Sequence, residues 1–245
     1  MKRMRYNVIA SSTMLNADAT RGGFRIEPVM ITLTYQRVDQ PRPEDVRTFI
    51  DHIRKWMKRR GETFRYAWVG ELQKRGALHY HIVIWMPHGM RLPKPDVFRQ
   101  LQRGPMGPGD IGPQPHTAWW PHGWSRIEKA RNAVGYIAKY ASKLKSSINY
   151  SGQTIPRGFR IFGIGGLDSE DRSKRSWCNL PGWLRDRTVP DDRCKRIIGG
   201  GWVERSTGDY WPSPFKVGRV TTIGGRTFVS IVPNLPEGTE LCSPW

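Results

Sequence analysis

The alternation of hydrophobic and polar residues predicts both strands and helices in the first 150 residues. β-Branched and aromatic residues dominate four stretches that read as strands, at 28–35, 63–73, 76–87 and 123–128. Hydrophobic residues recur at helical spacing in 43–60 and 129–145, and a shorter helix is predicted at 94–103. The order β-α-β-β-(α)-β-α favours an α+β fold, in which an antiparallel β-sheet is flanked by α-helices.

The segments on either side of this region have a different character. Residues 1–27 are basic and contain Gly22-Gly23, so we expect a basic, mobile N-terminal arm. Beyond a boundary near residue 150, short strands with glycine turns are predicted at 159–166, 200–204, 216–225 and 226–232, while 169–176 is charged and loop-like. We therefore expect a central domain at 28–150 and a small β-rich accessory C-terminal region at 151–245.

The charge of the chain narrows the classes of partner. The 245 residues include 40 Lys and Arg against 21 Asp and Glu, a formal net charge of +19 that is spread from Lys2 to Arg226. Such an excess favours a polyanion, nucleic acid before an acidic membrane. No apolar stretch is long enough to span a membrane, so we expect no membrane partner. The three distant cysteines fit a reducing cytoplasm, and no phosphate-binding loop of the ATPase type is present.

Two histidines in a strand are the first candidate for chemistry. His79 and His81 are two residues apart, so a strand presents both imidazoles on one face. If Lys74-Arg75-Gly76 is a three-residue hairpin loop, Glu71 lies opposite His79 and joins the same face. Two imidazoles and a carboxylate within about 5 Å could hold a metal ion with open coordination positions. A two-residue loop would instead bring Leu78 opposite Glu71, so the ligand set depends on loop length.

The last predicted helix of the domain carries a polar stripe. Tyr136, Lys139, Tyr140 and Lys143 are spaced as neighbours on one side of the helix. A solvated face of lysines and half-buried tyrosines would explain this stripe as well. Free tyrosine has a pKa near 10 and is a weak nucleophile at neutral pH, but nearby ammonium groups and a metal-polarised electrophile would supply what it lacks. A phosphate diester is such an electrophile.

Together these motifs resemble the HUH endonucleases, the rolling-circle replication initiators of phages, plasmids and small DNA viruses. The strand "ITLTY" (31–35) is similar to the first family motif, and "ELQKRGALHYH" (71–81) to the second, with His79 and His81 as the paired metal ligands. The stretch "YIAKYASK" (136–143) resembles the third, the Y-x-x-K nucleophile helix, present twice in overlap. Two tyrosines four apart are typical of phage-type initiators. Gly135 departs from a good helix sequence just before the first tyrosine.

The resemblance implies a fold, a reaction and a ligand set. The fold would be an RRM-like or ferredoxin-like HUH nuclease core. One tyrosine, Tyr136 or Tyr140, would attack single-stranded origin DNA and form a 5′-phosphotyrosine link. Glu71, His79 and His81 would hold Mg²⁺ or Mn²⁺, and Lys139 or Lys143 would counter phosphate charge or lower the pKa of the phenol. A host helicase and polymerase would be partners in the bacterial cytoplasm.

The DNA contacts and the identity of the replicon are less constrained. We expect DNA binding by Thr34, Arg75 and three tryptophans, Trp119, Trp120 and Trp124, although core packing explains the tryptophans equally well. Three alternatives stay open. A transposase or mobilisation relaxase would share the chemistry, a non-catalytic nucleic-acid-binding module would share the charge, and a structural zinc site would share the histidines.

Overall fold

The computed structural model describes residues 2–21, 23, 25–73, 76–95, 118–151, 158–198, 200–223 and 226–234. The predicted helix at 94–103 therefore lies, apart from its first two residues, outside the described part of the chain. The chain forms two compact units, Met1–Asp171 and Arg172–Trp245. They divide at 171/172 rather than near residue 150, because a strand beyond residue 150 joins the main sheet.

The first unit is built on one five-stranded sheet. Its strands are β1 (Ile26–Tyr35), β2 (Arg65–Leu72), β3 (Leu78–Pro87), β4 (Gly123–Lys129) and β5 (Phe162–Gly165). They lie in the order β4-β1-β3-β2-β5, and every neighbouring pair is antiparallel. With helices on the sheet and a small β-rich C-terminal region, the predicted α+β class is confirmed.

Helices cover both faces of this sheet, and each face has its own core. The amphipathic helix α2 (Asp45–Lys58) lies on one face, where Phe49, Ile53 and Met57 are fully buried. The helices α1 (Lys2–Thr20) and α3 (Ala133–Ser151) lie on the other, over alternate sheet residues such as Val83 and Trp85. The alternation along β3 divides the two cores, because successive strand residues point to opposite faces.

The N-terminal segment differs from the expected mobile arm. Residues 2–20 form helix α1, and its residues Val8 and Leu15 are completely buried in the core shared with α3. Asp18 Oδ2 accepts a hydrogen bond from Arg65 at 2.5 Å, and Asn16 Oδ1 accepts one from the indole of Trp85 at 3.0 Å. Apolar side chains and polar anchors on the same face therefore hold this basic segment on the sheet.

Helix α3 begins later than its sequence pattern predicts, at Ala133 instead of residue 129. The side-chain oxygen of Asn132 accepts a hydrogen bond from the backbone N–H of Gly135 at 2.8 Å, which is the usual geometry of an N-cap. Gly135 therefore lies in the first turn, where it interrupts no helical interior. The expected local weakening of the helix by this glycine does not arise.

The second unit is small and rich in β-structure. Helix α4 (Ser169–Cys178) leads into it, followed by the short helix α5 (Gly182–Arg185). A three-stranded sheet, β6 (Cys194–Arg196), β7 (Trp202–Glu204) and β8 (Tyr210–Trp211), precedes a two-stranded ribbon of β9 (Phe215–Ile223) and β10 (Arg226–Pro233).

The segment 169–176 is helical rather than the expected loop, since acids occupy the first turn of α4 and Asp168 Oδ1 accepts the N–H of Asp171 at 2.7 Å. Among the described residues, no helix is both long and apolar enough to cross a membrane.

Candidate metal centre and cleft

The β2–β3 hairpin sets the position of the three candidate ligands. Its register pairs Glu71 with His79 and Leu72 with Leu78, as the three-residue loop predicts. The N–H of Gln73 donates to the carbonyl of Ala77 at 2.9 Å and closes the loop, and Gly76 has a φ of 84°. That left-handed conformation favours glycine. Lys74 and the predicted DNA contact Arg75 lie outside the described residues.

Glu71, His79 and His81 form a group that could bind a metal ion. One ligand atom from each side chain lies within 4.8 Å of the other two. Glu71 Oε1 is 3.1 Å from His81 Nε2, and the two imidazole rings are 5.1 Å apart between centroids. Within the described ranges, no other set of three His, Cys or carboxylate side chains comes this close. Two nitrogen donors and one carboxylate oxygen suit a borderline divalent cation with open coordination positions.

Two threonines of β1 orient the histidine rings. Thr34 Oγ1 lies 2.6 Å from His79 Nε2, and Thr32 Oγ1 lies 3.4 Å from His81 Nδ1. The β1–β3 register explains both contacts, because it pairs Thr34 with His79 and Thr32 with His81. Partners on the second ring nitrogen fix which nitrogen can face a metal ion. Thr34, predicted from sequence as a DNA contact, therefore also supports a candidate ligand.

The electrostatics of Glu71 favour its charged form. Burial acts to raise the pKa of this carboxyl, but the hydrogen bond with His81 and the charges of His81, Lys143 and His79 outweigh it. The net result is a pKa below the usual value. The group therefore offers a carboxylate as a ligand without needing to lose a proton at neutral pH.

Helix α3 brings Tyr140 against this group. Its ring stacks on the imidazole of His81, with centroids 3.4 Å apart and planes 12° apart. The ammonium groups of Lys139 and Lys143 lie 5.7 Å and 5.5 Å from the centre of the Tyr140 ring. Sequence spacing had predicted this stripe, and here three of its four members meet around one phenol.

The pKa of Tyr140 is raised, first by burial and then by the negative charges of Glu71 and Glu128, with Arg126 opposing the rise. Lowering of this pKa, one of the two roles expected for the lysines, is therefore not found in the ion-free protein. Tyr136 is half-buried one turn earlier and packs on the same core. It is not among the residues that line the cleft described next.

An open cleft of about 530 Å³ lies in front of the histidines. Strand β4 forms one wall and Tyr140 another, and the cleft is lined by Met30, Thr32, Thr34, His79, His81, Trp124, Ser125, Arg126, Glu128 and Tyr140. Trp124 is 52% exposed, so its ring is accessible as expected of a DNA contact. The sequence reading missed Thr32, Arg126 and Glu128, although the alternation in "GWSRIEK" already assigns Trp124, Arg126 and Glu128 to one face.

The other two tryptophans lie on the opposite face of the sheet. Trp120 is fully buried, and its ring packs edge-on against Tyr35 with centroids 4.9 Å apart. Trp119 is half-buried and packs against Trp56 of helix α2 and His52. The expected stacking of DNA bases on Trp119 and Trp120 is therefore wrong for Trp120, whose surface is fully covered, and unsupported for Trp119, which is away from the cleft. Both serve the α2 core.

The fold and the site together define a class of protein. A group able to bind a metal ion sits on an antiparallel α+β sheet, beside a tyrosine and an open cleft, and this is compatible with an endonuclease. Residues 28–145, just under half of the chain, match a family model for replication-associated proteins of the ORF2 type. The match supports a relationship with rolling-circle replication initiators, a role in DNA replication, and DNA as partner. No curated protein and no solved structure matches the chain.

Proposed function

We propose that the chain is an HUH-type replication initiator that nicks and rejoins single-stranded origin DNA through a tyrosine, to start and end rolling-circle replication. The observation that supports this most directly is the contact between Tyr140 and His81, within a group whose third member is Glu71. A general nucleic-acid-binding surface has no need of a carboxylate, two imidazoles and a phenol in one cleft.

Tyr140 is the nucleophile of the first step. Its phenolic oxygen forms a bond to the scissile phosphorus, and the bond from phosphorus to the 3′ oxygen of the preceding nucleotide breaks. The phenolic proton is balanced by the proton that the departing 3′-hydroxyl gains. The protein then carries a 5′-phosphotyrosine, and rejoining reverses these changes without ATP because the link retains the energy of the phosphodiester.

The residues around Tyr140 divide the remaining tasks. Glu71, His79 and His81 would hold Mg²⁺ or Mn²⁺, whose chemistry is to polarise the phosphate. Lys139 and Lys143 lie near the phenol and offset negative charge on the bound phosphate. Tyr136 is the second nucleophile, which acts after one round of synthesis. A host helicase and polymerase, in the cytoplasm of a bacterial cell, supply unwinding and extension.

A covalent-adduct assay tests this function. The protein is incubated with Mn²⁺ and a tiled set of labelled single-stranded oligonucleotides covering both strands of the replicon, and adducts are resolved by denaturing electrophoresis. We expect an adduct with one oligonucleotide, abolished by EDTA. Tyr140→Phe should remove the first-step adduct, while Tyr136→Phe should retain it. Tyr6→Phe, an exposed tyrosine of α1, is the matched control and should behave as the unmodified chain.

The result also separates the alternatives. A chain that binds every oligonucleotide but forms no adduct with any would be a non-catalytic binding module. An adduct that persists in the double variant Tyr136→Phe, Tyr140→Phe would move the nucleophile elsewhere. An adduct confined to a transfer origin or to a transposon end would favour a mobilisation relaxase or a transposase over a replication initiator.

A further inference from the structure

Strand β4 carries a pair of charged residues that the proposed chemistry leaves unused. Arg126 and Glu128 are two residues apart on this edge strand, and a guanidinium nitrogen of Arg126 lies 2.8 Å from Glu128 Oε1. Both side chains line the cleft that contains His79, His81 and Tyr140. The pair therefore belongs to the same cavity as the candidate metal group, although no motif of the sequence points to it.

The strand register puts these residues on the reactive face of the sheet. Strand β4 pairs with β1 so that Trp124 is opposite Thr34 and Arg126 is opposite Thr32. Those two threonines contact the rings of His79 and His81. Directly opposed residues of an antiparallel pair project to the same side, so Arg126 extends the face that bears the imidazoles.

From these contacts we propose that Arg126 binds a phosphate of single-stranded DNA in this cleft and that Glu128 holds Arg126 in the free protein until the phosphate displaces it. The proposal rests on the proposed function for the identity of the polyanion. It assigns a phosphate-binding residue outside the tyrosine helix and names the group that competes with the substrate.

The exposure of the pair makes the exchange inexpensive. The side chains of Arg126 and Glu128 are 68% and 36% exposed, and an ion pair as open as this contributes about 0–1 kcal/mol. A phosphate offers the guanidinium the same two-pronged acceptor geometry as a carboxylate, so one partner can replace the other without moving the arginine. The competition with Glu128 then discriminates against weak anions and lets a phosphate through.

The surroundings of Arg126 fit a nucleotide better than an isolated phosphate ion. Trp124 is on the same face two residues earlier, and its ring is half exposed at the cleft. Exposed aromatic rings next to cations are the usual elements of single-stranded nucleic-acid sites, with a base stacked on the ring and the backbone held by the charge. Lys139 and Lys143 lie on the helix side, so cations flank the cleft on both its strand and helix sides.

The chain offers a matched control pair. Arg37 and Asp39 form an ion pair of 2.7 Å, also two residues apart, with side chains 72% and 68% exposed. Neither residue lines the cleft. Removing a charge from this pair changes the net charge of the protein as removal from the β4 pair does, but it does so outside the site.

The test is equilibrium binding of fluorescein-labelled oligothymidylate in EDTA, measured by anisotropy at several salt concentrations. We expect Arg126→Ala to weaken binding about tenfold, as for loss of one charged hydrogen-bonded contact. The slope of log affinity against log salt should fall by about 0.7, the value for one phosphate on a single strand. Glu128→Gln should tighten binding about threefold, as for relief of a charge competitor worth somewhat less than 1 kcal/mol.

Arg37→Ala and Asp39→Asn should each stay within about twofold of the unmodified chain, since they alter only the diffuse field of the protein. Equal effects of Arg126→Ala and Arg37→Ala would overturn the proposal, because Arg126 would then be part of the general basic surface. Equal effects of Glu128→Gln and Asp39→Asn would overturn the competition by Glu128. Thermal unfolding curves of the four variants check that each is folded.

The design keeps this proposal separate from the proposed function. EDTA prevents cleavage, so the binding differences report on Arg126 and Glu128 whether or not the protein forms an adduct. Absence of any adduct with Mn²⁺, combined with a specific loss of binding in Arg126→Ala, would reject the tyrosine chemistry and retain the phosphate site. An adduct combined with no difference between the two arginine variants would do the reverse.

Discussion

The hydrogen bond from Thr34 to His79 provides a quantitative test of the metal group. Thr34 Oγ1 is 2.6 Å from His79 Nε2, and Val is the closest replacement in shape for a β-branched strand residue without a hydroxyl. Leaving a partly buried ring nitrogen without its partner costs about 1–3 kcal/mol, and loss of a residue that orients a metal ligand weakens metal affinity about 10–100-fold. We expect Mn²⁺ binding by Thr34→Val to be about tenfold weaker, equivalent to about 1.4 kcal/mol.

Titration of the protein with Mn²⁺, followed by electron paramagnetic resonance of the free ion, measures this change without any DNA. Thr34→Ser restores the hydroxyl and should recover most of the affinity. Thr32→Val should have a smaller effect, because its contact with His81 is longer, at 3.4 Å. Thr48→Val, on the exposed face of α2, is the control. Unchanged Mn²⁺ affinity in Thr34→Val would refute the orienting role of Thr34 and question His79 as a ligand.

Three further predictions concern the fold. Leu15→Ala should lower the free energy of unfolding of the first unit by about 2–5 kcal/mol in urea titrations, because this side chain is fully buried under α1. Gly123→Ala should cost about 1–3 kcal/mol in thermal melting, because a Cβ there collides with the main-chain oxygen of Thr34. Hydrogen bonds, first that from the Ser206 hydroxyl, hold the pKa of Glu204 at about 2, so Glu204→Gln should unfold in less urea at neutral pH.

The pH dependence of the last prediction has a definite sign. The pKa of Glu204 is lower in the folded chain than its usual 4.5, so its stabilisation is complete above 4.5 and is lost as the pH falls towards 2. The difference between Glu204→Gln and the unmodified chain should therefore shrink on acidification. A constant difference would contradict the assignment. For the other two, Tyr6→Ala on α1 and Gly182→Ala serve as controls, since Tyr6 is exposed and a Cβ at Gly182 meets no crowding.

The metal group was accessible from sequence because its geometry is local. Once the loop length of the β2–β3 hairpin is assumed, strand periodicity alone brings Glu71, His79 and His81 to one face, and the register confirms it. The tyrosine stripe was accessible for the same reason, since helical spacing groups its members. Its approach to His81, however, depends on how α3 packs on the sheet, which no local pattern encodes.

The errors came from tertiary packing. Residues 2–20 are basic, and the few apolar positions that bind α1 to the sheet, such as Val8 and Leu15, are diluted by exposed charges. Trp120 is separated by only a few residues from Trp124, yet one ring is buried on the α2 face and the other is exposed at the cleft. Arg126 and Glu128 gain their meaning only from the pairing of β4 with β1, two segments far apart in sequence.

The cap at Asn132 has a consequence for the exchange of strands between the two phenols. It fixes where α3 starts, and the rise and rotation of an α-helix then separate Tyr136 from Tyr140 by about 6 Å along the axis and about 40° around it. A side-chain rotation alone does not span that offset. A handover from one phenol to the other therefore requires translation, either of the DNA along the cleft or of the helix by about one turn.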